Sequence, residues 1–595
     1  MSDKHLAKMI LQKVREHGDH IAMRYKTGEE WNEISYYSLG EKIRTAALAL
    51  IELGVREGDM VGIFSQNRPE WAITDFGILC AKAVSVPIYA TNTAKQAEYI
   101  VNDAQIKIIF VGDREQYEKV VSFAGSFSYL TKIVVFDDDV KLTGDHSLSF
   151  GDFLKIGEAS AKNDEIERKL STVSSDDLAT LIYTSGTTGD PKGVMLTHDN
   201  FFHQLEAVDK SFDVTPQDRS LCFLPLSHAY ERTWSFYVFS RGAQNNYLAN
   251  PKKIIEYMRD VKPTAMVSVP RLYEKIYSTA YDSVEKASNF KKKMFTWAVA
   301  VGKRYADRTK EQKPIGPYLK LQHTMADRLV LRKIRDIVGG PKNFFSAGGA
   351  ALSTEIEEFF FAAGLLVCQG YGLTESSPMI TYNSPGAFKF GTVGRSVPGC
   401  EVRIGEDGEI LAKGRNIMKG YYNRPEETEE TVVDGWLKTG DVGLIDEDGF
   451  VRITDRIKNL IITSGGKNIA PQRIETAVGS DHYIEQITAI GDGRKYVSAL
   501  IVPFFSALED YAKAHGVSYE TREELVKKPE IIEFYRTRIA EQSKELAGYE
   551  KIKAFSLLAR EFTQEDGELT PTLKIKRKVV MDTYSDVIDA MYPED

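Results

Sequence analysis

The run Leu181-Ile-Tyr-Thr-Ser-Gly-Thr-Thr-Gly-Asp-Pro-Lys-Gly-Val194 has the residue types that bind a polyphosphate. Between Thr184 and Gly193 it gathers four hydroxyls, three glycines and one lysine. Glycines let the backbone turn tightly and approach a ligand closely. Hydroxyls, free backbone N–H groups and an ammonium together make an oxyanion-binding surface. A Walker loop does not fit. Counting from Gly186, Pro191 stands where that motif needs glycine, and Lys192 is followed by Gly193 instead of Ser or Thr. Leu181 to Tyr183 reads as the end of a buried strand that delivers the loop.

Further segments repeat the plan of a strand running into a polar or glycine turn. Ser220–Leu224 reads as a strand that presents Pro225-Leu-Ser-His-Ala-Tyr-Glu-Arg-Thr-Trp234. Ligands of open α/β sheets bind at strand carboxyl ends, which favours His228 over His198 and His203. Trp234 reads as core, with a gate over a ligand channel as the alternative. Phe344-Phe-Ser-Ala-Gly-Gly-Ala-Ala351 and Leu365-Leu-Val-Cys-Gln-Gly-Tyr-Gly-Leu-Thr-Glu-Ser376 are two strand ends with glycine turns, suited to pinching a flat ring on which Tyr371 stacks. Asp441 closes the turn Gly435-Trp-Leu-Lys-Thr-Gly-Asp441, where a carboxylate can accept from both hydroxyls of a ribose or merely stabilise the turn.

Taken together, the motifs resemble those of the adenylate-forming (AMP-binding) superfamily, and the match spans roughly residues 20–580. The resemblance implies ATP, Mg²⁺ and coenzyme A as cofactors. It implies that Thr184, Ser185, Gly186, Thr187, Thr188, Gly189 and Lys192 hold the phosphates. Gly349 and Ala350 would line the adenine, with Gln369, Gly370, Tyr371 and Gly372 in the adenine and magnesium segment. Thr374 would face the α-phosphate and Glu375 would hold the metal. Asp441 and Arg456 would contact the ribose, Lys458 would serve as the hinge, and Gly466 would line a thiol path. Leu569-Thr-Pro-Thr-Leu-Lys574 aligns with the C-terminal lysine motif, but Leu573 stands where the commonest form has glycine. Lys576 and Lys578 therefore remain alternatives to Lys574. Leu226-Ser-His228 with Glu231, Val269-Pro-Arg271 and Thr570-Pro-Thr-Leu-Lys574 are similar to the long-chain fatty acid–CoA ligase branch. The implied reaction joins a fatty acid to AMP and then to CoA. Alternatives are transfer of the acyl group to a carrier protein, or CoA ligation of a different carboxylic acid.

The elements that must position these residues follow from pattern and size. At 595 residues the chain exceeds one core. Helix and strand patterns alternate, so the fold class is α/β. The resemblance implies two stacked α/β sheets plus a distorted β-barrel near 391–455 in a large domain of residues 1–455. It also implies a smaller mobile α/β domain over 456–595. Ser38-Leu-Gly-Glu41 reads as a capping box ahead of the apolar stripe Ile43, Ala46, Ala47, Leu50 and Leu53. Cys80, Cys222, Cys368 and Cys400 form no CxxC pair, which argues against a zinc site or a disulfide framework. The net charge of −9 argues against a nucleic-acid partner. No long apolar run or signal peptide is evident, so the expected location is cytoplasmic. Residues 280–335 are helical and basic. They read as a solvated excursion, with peripheral membrane contact as the alternative.

Overall fold

A computed structural model describes residues 4–184, 190–285, 287–464, 467–563, 566–570 and 574–593. The sheet that carries the phosphate motif has eight strands. Their order is Gly420–Tyr421, Lys192–Thr197, Leu178–Thr184, Val84–Ile88, Met60–Phe64, Ile108–Val111, Lys132–Val135 and Ser147–Ser149. From Leu178–Thr184 to Ser147–Ser149 neighbouring strands run parallel. Met60–Phe64 and Val84–Ile88 are buried at every residue, as parallel strands covered by helices on both faces must be.

A second layer has two sections, one of four strands and one of five, which meet where Thr264 N–H donates to the Arg219 carbonyl at 2.8 Å. The barrel region is a five-stranded antiparallel sheet built from Cys400–Ile404, Glu409–Gly414, Val432–Val433, Trp436–Ile445 and Val451–Arg456. Helices Pro69–Cys80 and Ala229–Ser240 lock the layers together through a buried ion pair. Arg232 reaches both oxygens of Asp75 at 2.6 and 3.0 Å and the Thr180 hydroxyl at 2.7 Å. Both charged side chains are only 1% exposed, so removing one partner would strand the other in a medium that cannot solvate it.

The expected capping box at Ser38 is not what starts its helix. The helix spans Tyr36–Glu52, and Ser35 is the cap, accepting from Ser38 N–H at 3.2 Å. Ser35 ends strand Glu30–Ser35 in an extended conformation, which aims its hydroxyl at the unpaired N–H groups. Thr197 caps His198–Asp209, in a reciprocal pair with Asn200. Trp234 is core: it donates to Ser220 Oγ at 2.8 Å and stacks on Phe344 with ring centroids 4.7 Å apart. His198 is also structural, accepting from Leu6 N–H and stacking on His5.

Beyond Arg456 the chain builds a separate core. Ile461, Ile474, Leu500, Ile501, Tyr535 and Val580 belong to it. Its sheet comprises Ile484–Ile490, Ser498–Pro503 and Ala554–Leu557, with helices Phe505–Ala514 and Pro529–Gln542 among its covering elements. Arg271 on helix Pro270–Glu285 forms an ion pair with Glu485, which joins this unit to the large one.

Candidate active site

The phosphate motif sits at the tip of a β-hairpin. Tyr183 is paired with Gly193 and Thr184 with Lys192 in antiparallel register. Ser185, Gly186, Thr187, Thr188 and Gly189 lie outside the described residues, as does Gly466. Tyr183 anchors the loop end of the hairpin by donating to Asp103 at 2.6 Å. Gly193 packs under the Tyr183 ring, where a Cβ would approach within 3.0 Å.

Lys192 leaves the hairpin with its ammonium 4.9 Å from the centre of the Tyr421 ring. The Tyr421 hydroxyl donates to Glu375 Oε1 at 2.9 Å. The lysine of the phosphate motif and the candidate metal ligand therefore share one aromatic neighbour. Reasoning from sequence missed Tyr421, whose signal is only a two-residue strand, Gly420–Tyr421, added to the hairpin edge. Glu375 lies in the single 3-10 turn Thr374–Ser376. That turn is too short to stabilise a carboxylate by a helix dipole. Among the described residues no cluster of three His, Cys, Asp or Glu is arranged to hold a metal. One half-buried carboxylate, with Oε2 left unbonded among the described residues, fits Mg²⁺ that keeps waters and phosphate oxygens as its other ligands.

Next to it, strand Cys368–Gly372 carries Gln369, Gly370 and Tyr371. Gln369 is buried and uses its amide on both backbone groups of Leu352, at 3.0 and 3.4 Å. It fastens the glycine turn from behind. Gly349 has φ of +83° and an open face, so the turn needs glycine and leaves room beside it. Gly372 admits no side chain, because a Cβ would fall 1.7 Å from the Pro378 carbonyl oxygen. Ala350 is exposed beside Gly349, and Thr374 is buried.

Asp441 and Arg456 are cross-strand partners on Trp436–Ile445 and Val451–Arg456. Asp441 is 4% exposed and accepts from Arg456 Nε at 2.9 Å and from the Tyr371 hydroxyl at 2.7 Å. Each oxygen keeps a lone pair for a further donor. Lys458 falls in the turn Ile457–Asn459, and its side chain is outside the described ones.

His228 caps helix Ala229–Ser240, and its Nδ1 accepts from Tyr230 N–H at 3.1 Å. That bond fixes Nε2 as the protonated nitrogen. Burial, and then the nearby Lys574 ammonium, lower its pKa to about 4, so the ring is neutral at pH 7. Glu231 is fully buried, accepts from Leu224 N–H at 3.1 Å, and is pushed up to about 8 by burial. It is an uncharged acid that shapes the Leu224–Pro225 turn. Lys574 remains exposed, but its ammonium lies in a cleft where crowding by protein atoms and then Arg456 lower its pKa to about 8, with Asp441 opposing. Its backbone is held by Thr570, whose N–H donates to the Lys574 carbonyl at 2.7 Å and whose hydroxyl accepts from Lys574 N–H at 3.0 Å. Lys576 instead caps helix Arg577–Thr583, inside which Lys578 lies.

The site thus joins a neutral imidazole, a cationic lysine, a carboxylate–guanidinium pair and a lone carboxylate. They come from a helix cap, the C-terminal tail, two paired strands and a 3-10 turn. That assembly suits binding a nucleoside triphosphate and directing a second anion to its phosphorus.

Known proteins resemble this chain in sequence and in fold. The long-chain-fatty-acid–CoA ligase FadD15 of Mycobacterium tuberculosis is 35% identical over 596 residues, covering 99% of this chain and 97% of its own length. The long-chain-fatty-acid–CoA ligase ACSBG1 of Homo sapiens is 30% identical, with 99% and 85% covered. In fold, the chain matches the anthranilate CoA ligase AuaEII in complex with anthranoyl-AMP at a TM-score of 0.74 and 18% identity, with 98% of each chain covered. It matches ATP-bound MatB from Rhodopseudomonas palustris at 0.70 and 22% identity, covering 98% of this chain and 99% of that one. Residues 10–422 match the AMP-binding enzyme family and residues 458–595 match the AMP-binding enzyme C-terminal domain. With both parts in order and the site at their junction, the chain belongs to the AMP-binding enzyme family.

Proposed function

We propose that this protein is an AMP-forming long-chain fatty acid–CoA ligase that acts in the cytoplasm with peripheral membrane contact. The large domain would comprise residues 1–455, and the mobile C-terminal domain residues 456–595. The observation that carries this reading is the electrostatic coupling of Lys574 to His228, Asp441 and Arg456. A lysine from the C-terminal unit thereby acts inside a site built by the large one.

In the first step the fatty carboxylate attacks the α-phosphorus of ATP, the bond to the β-phosphate oxygen breaks, and pyrophosphate leaves. The substrate is its own nucleophile. Lys574 steers the carboxylate to phosphorus and offsets charge that grows on the α-phosphate, a preorganised contribution that needs no rearrangement during the reaction. Neutral His228 presents Nε2–H to an oxyanion without adding charge. Tyr371 and Asp441 hold the nucleoside, and Arg456 keeps Asp441 aligned. Mg²⁺, held through Glu375, would neutralise the polyphosphate and make pyrophosphate a better leaving group. In the second step the C-terminal domain turns, Lys574 withdraws, and the CoA thiol displaces AMP from the acyl adenylate.

The test is CoA-dependent AMP formation across straight-chain acids from acetate to stearate. Palmitate or oleate should give the highest kcat/KM. Each methylene buried in an apolar tunnel contributes about 0.8 kcal/mol, so four more carbons add roughly 3 kcal/mol. Pyrophosphate release without thioester formation would instead support transfer to a carrier protein. A maximum at acetate or benzoate would refute the long-chain assignment.

A further inference from the structure

Helix Pro317–Ala326 runs through the π-turn Asp327–Leu331 into helix Arg332–Ile337. Its inner side packs on helix Asn289–Lys310: the Tyr305 and His323 rings stack with centroids 3.8 Å apart, and Ala326, Val330 and Leu331 are buried. Its outer side is also apolar. Tyr318 is 73% exposed, Leu321 60%, Met325 51% and Leu329 41%. Spacings of three, four and four residues put these side chains on one face. Arg328, Arg332 and Lys333 rim the stripe, exposed and with no ion-pair partner among the described residues. The nearby Asp327 is turned inward by Arg335, at 2.7 Å. From residue 289 to 335 there are thirteen Lys and Arg against three Asp and Glu, in a chain of net charge −9.

We propose that the face formed by Tyr318, Leu321, Met325 and Leu329, with its cationic rim, docks this protein on an anionic lipid bilayer. An apolar stripe of this kind is unfavourable in water and marks a surface meant to be covered. A second copy is a poor cover. A two-fold interface would set each cationic rim against its own image, with the exposed Asp336 as the one carboxylate of helix Arg332–Ile337 set against Arg328, Arg332 and Lys333. A bilayer carrying acidic headgroups meets both requirements, because side chains enter the acyl boundary while lysine and arginine stay at phosphate level. The stripe is about 17 Å long at 1.5 Å per residue, suited to lying in the interface. No described helix is long and apolar enough to cross a membrane. The inference identifies a surface for the peripheral contact proposed above, yet it rests on surface chemistry and not on the ligase reaction.

Full-length protein, without ATP or fatty acid, is sedimented with large vesicles of phosphatidylcholine alone or with about a third phosphatidylglycerol. Binding should require phosphatidylglycerol and weaken as salt rises. Leu321→Glu/Met325→Glu and, separately, Arg328→Glu/Lys333→Glu should each lower the bound fraction about fivefold or more. Tyr37→Glu, which alters another exposed aromatic, should bind as the parent does. Circular dichroism and adenylation in detergent-free buffer check that the variants are folded. The proposal is overturned if the parent stays in the supernatant with anionic vesicles, if the stripe variants bind like Tyr37→Glu, or if light scattering finds a parent dimer that only the stripe variants dissolve. Failure here would leave the ligase reading intact, since no substrate takes part.

Discussion

Tyr371 donates to Asp441 at 2.7 Å while Arg456 holds the other oxygen of the same carboxylate at 2.9 Å. Strand Cys368–Gly372 and the strand pair Trp436–Ile445 and Val451–Arg456 therefore converge on one buried acid. Because Asp441 is held from two sides, it would need no reorganisation to receive the ribose proposed for it. Asp441→Ala should raise the KM for ATP at least tenfold while kcat falls less, since a lost hydrogen bond to a charged group costs about 1.5–3 kcal/mol. Tyr371→Phe keeps the ring and removes one clamp, so its effect should be several-fold smaller. Steady-state pyrophosphate release against ATP concentration gives both values. An Asp441→Ala enzyme with unchanged KM would remove the residue from the nucleotide site.

Glu375 and Tyr421 make a second pair, and their defects should share a signature. Glu375→Gln keeps the shape of the turn but deletes the charge proposed to hold Mg²⁺, so adenylation should need far more Mg²⁺ for half-saturation. Tyr421→Phe frees Glu375 Oε1 and keeps the ring beside Lys192, so it should shift the same curve by a smaller factor. Thermal unfolding of both variants should match the parent within a few degrees, because a solvated ligand contributes little to stability. Normal kinetics at ordinary Mg²⁺ in Glu375→Gln would exclude the metal role.

Much of the fold and the site was legible because local chemistry and global position agree. Met60–Phe64 and Val84–Ile88, mostly apolar with only Ser85 polar, fold as buried parallel strands. Thr197 with Asn200 satisfies a helix start and does cap one. Where two residues of one type compete, pattern alone chose wrongly. Ser35 and Ser38 both precede the stripe of helix Tyr36–Glu52, and the preceding strand decides which hydroxyl meets the open N–H groups. Contacts across long sequence distances left no trace at all. Tyr421 meets Glu375 only because a two-residue strand joins the hairpin edge, and Arg271 meets Glu485 only because two units abut. Gln369 stands in a glycine-rich binding motif, but its amide is spent on Leu352. A motif marks the neighbourhood of a site without saying which of its side chains face the ligand.

Glu231 carries a pH prediction with a definite sign. Its folded pKa is raised to about 8 from an ordinary 4.5, because burial disfavours the charged form. Below pH 4.5 both folded and unfolded states are protonated there, and the group costs nothing. As pH rises toward 8 the unfolded state ionises while the folded state holds its proton, so stability declines across that window. Glu231→Gln removes the ionisation and keeps an acceptor for Leu224 N–H. It should be more stable than the parent at pH 8, by on the order of 1–3 kcal/mol, and close to it at pH 4.5. Urea midpoints at the two pH values measure this. A variant equally destabilised at both would mean that the amide fits the site poorly and that ionisation plays no part.

Lys574 carries the test of two steps performed in two arrangements. Its ammonium lies in the cleft with Arg456 and Asp441, and its charge depresses His228 across the junction of the units. Lys574→Ala should lower adenylation on the order of 10²–10³, the usual loss for one preorganised electrostatic contact. The thiol step should survive, since the lysine is withdrawn by then. Feeding synthetic acyl adenylate with CoA isolates the second step, and fatty acid with ATP isolates the first. With a folded pKa near 8, the charged lysine is depleted as pH rises, so adenylation should fall through about pH 8. Lys574→Arg should move that limb to higher pH even where it lowers the maximum. Lys576→Ala should adenylate normally, because Lys576 caps a helix. The Arg271–Glu485 ion pair bridges the C-terminal unit and the large one in this arrangement. Arg271→Ala should therefore slow adenylation several-fold and spare the reaction of preformed adenylate with CoA. A folded Lys574→Ala enzyme equally impaired in both halves would mean that no domain alternation occurs. Normal adenylation in Lys574→Ala, with its loss in Lys576→Ala, would move the role two residues along the tail.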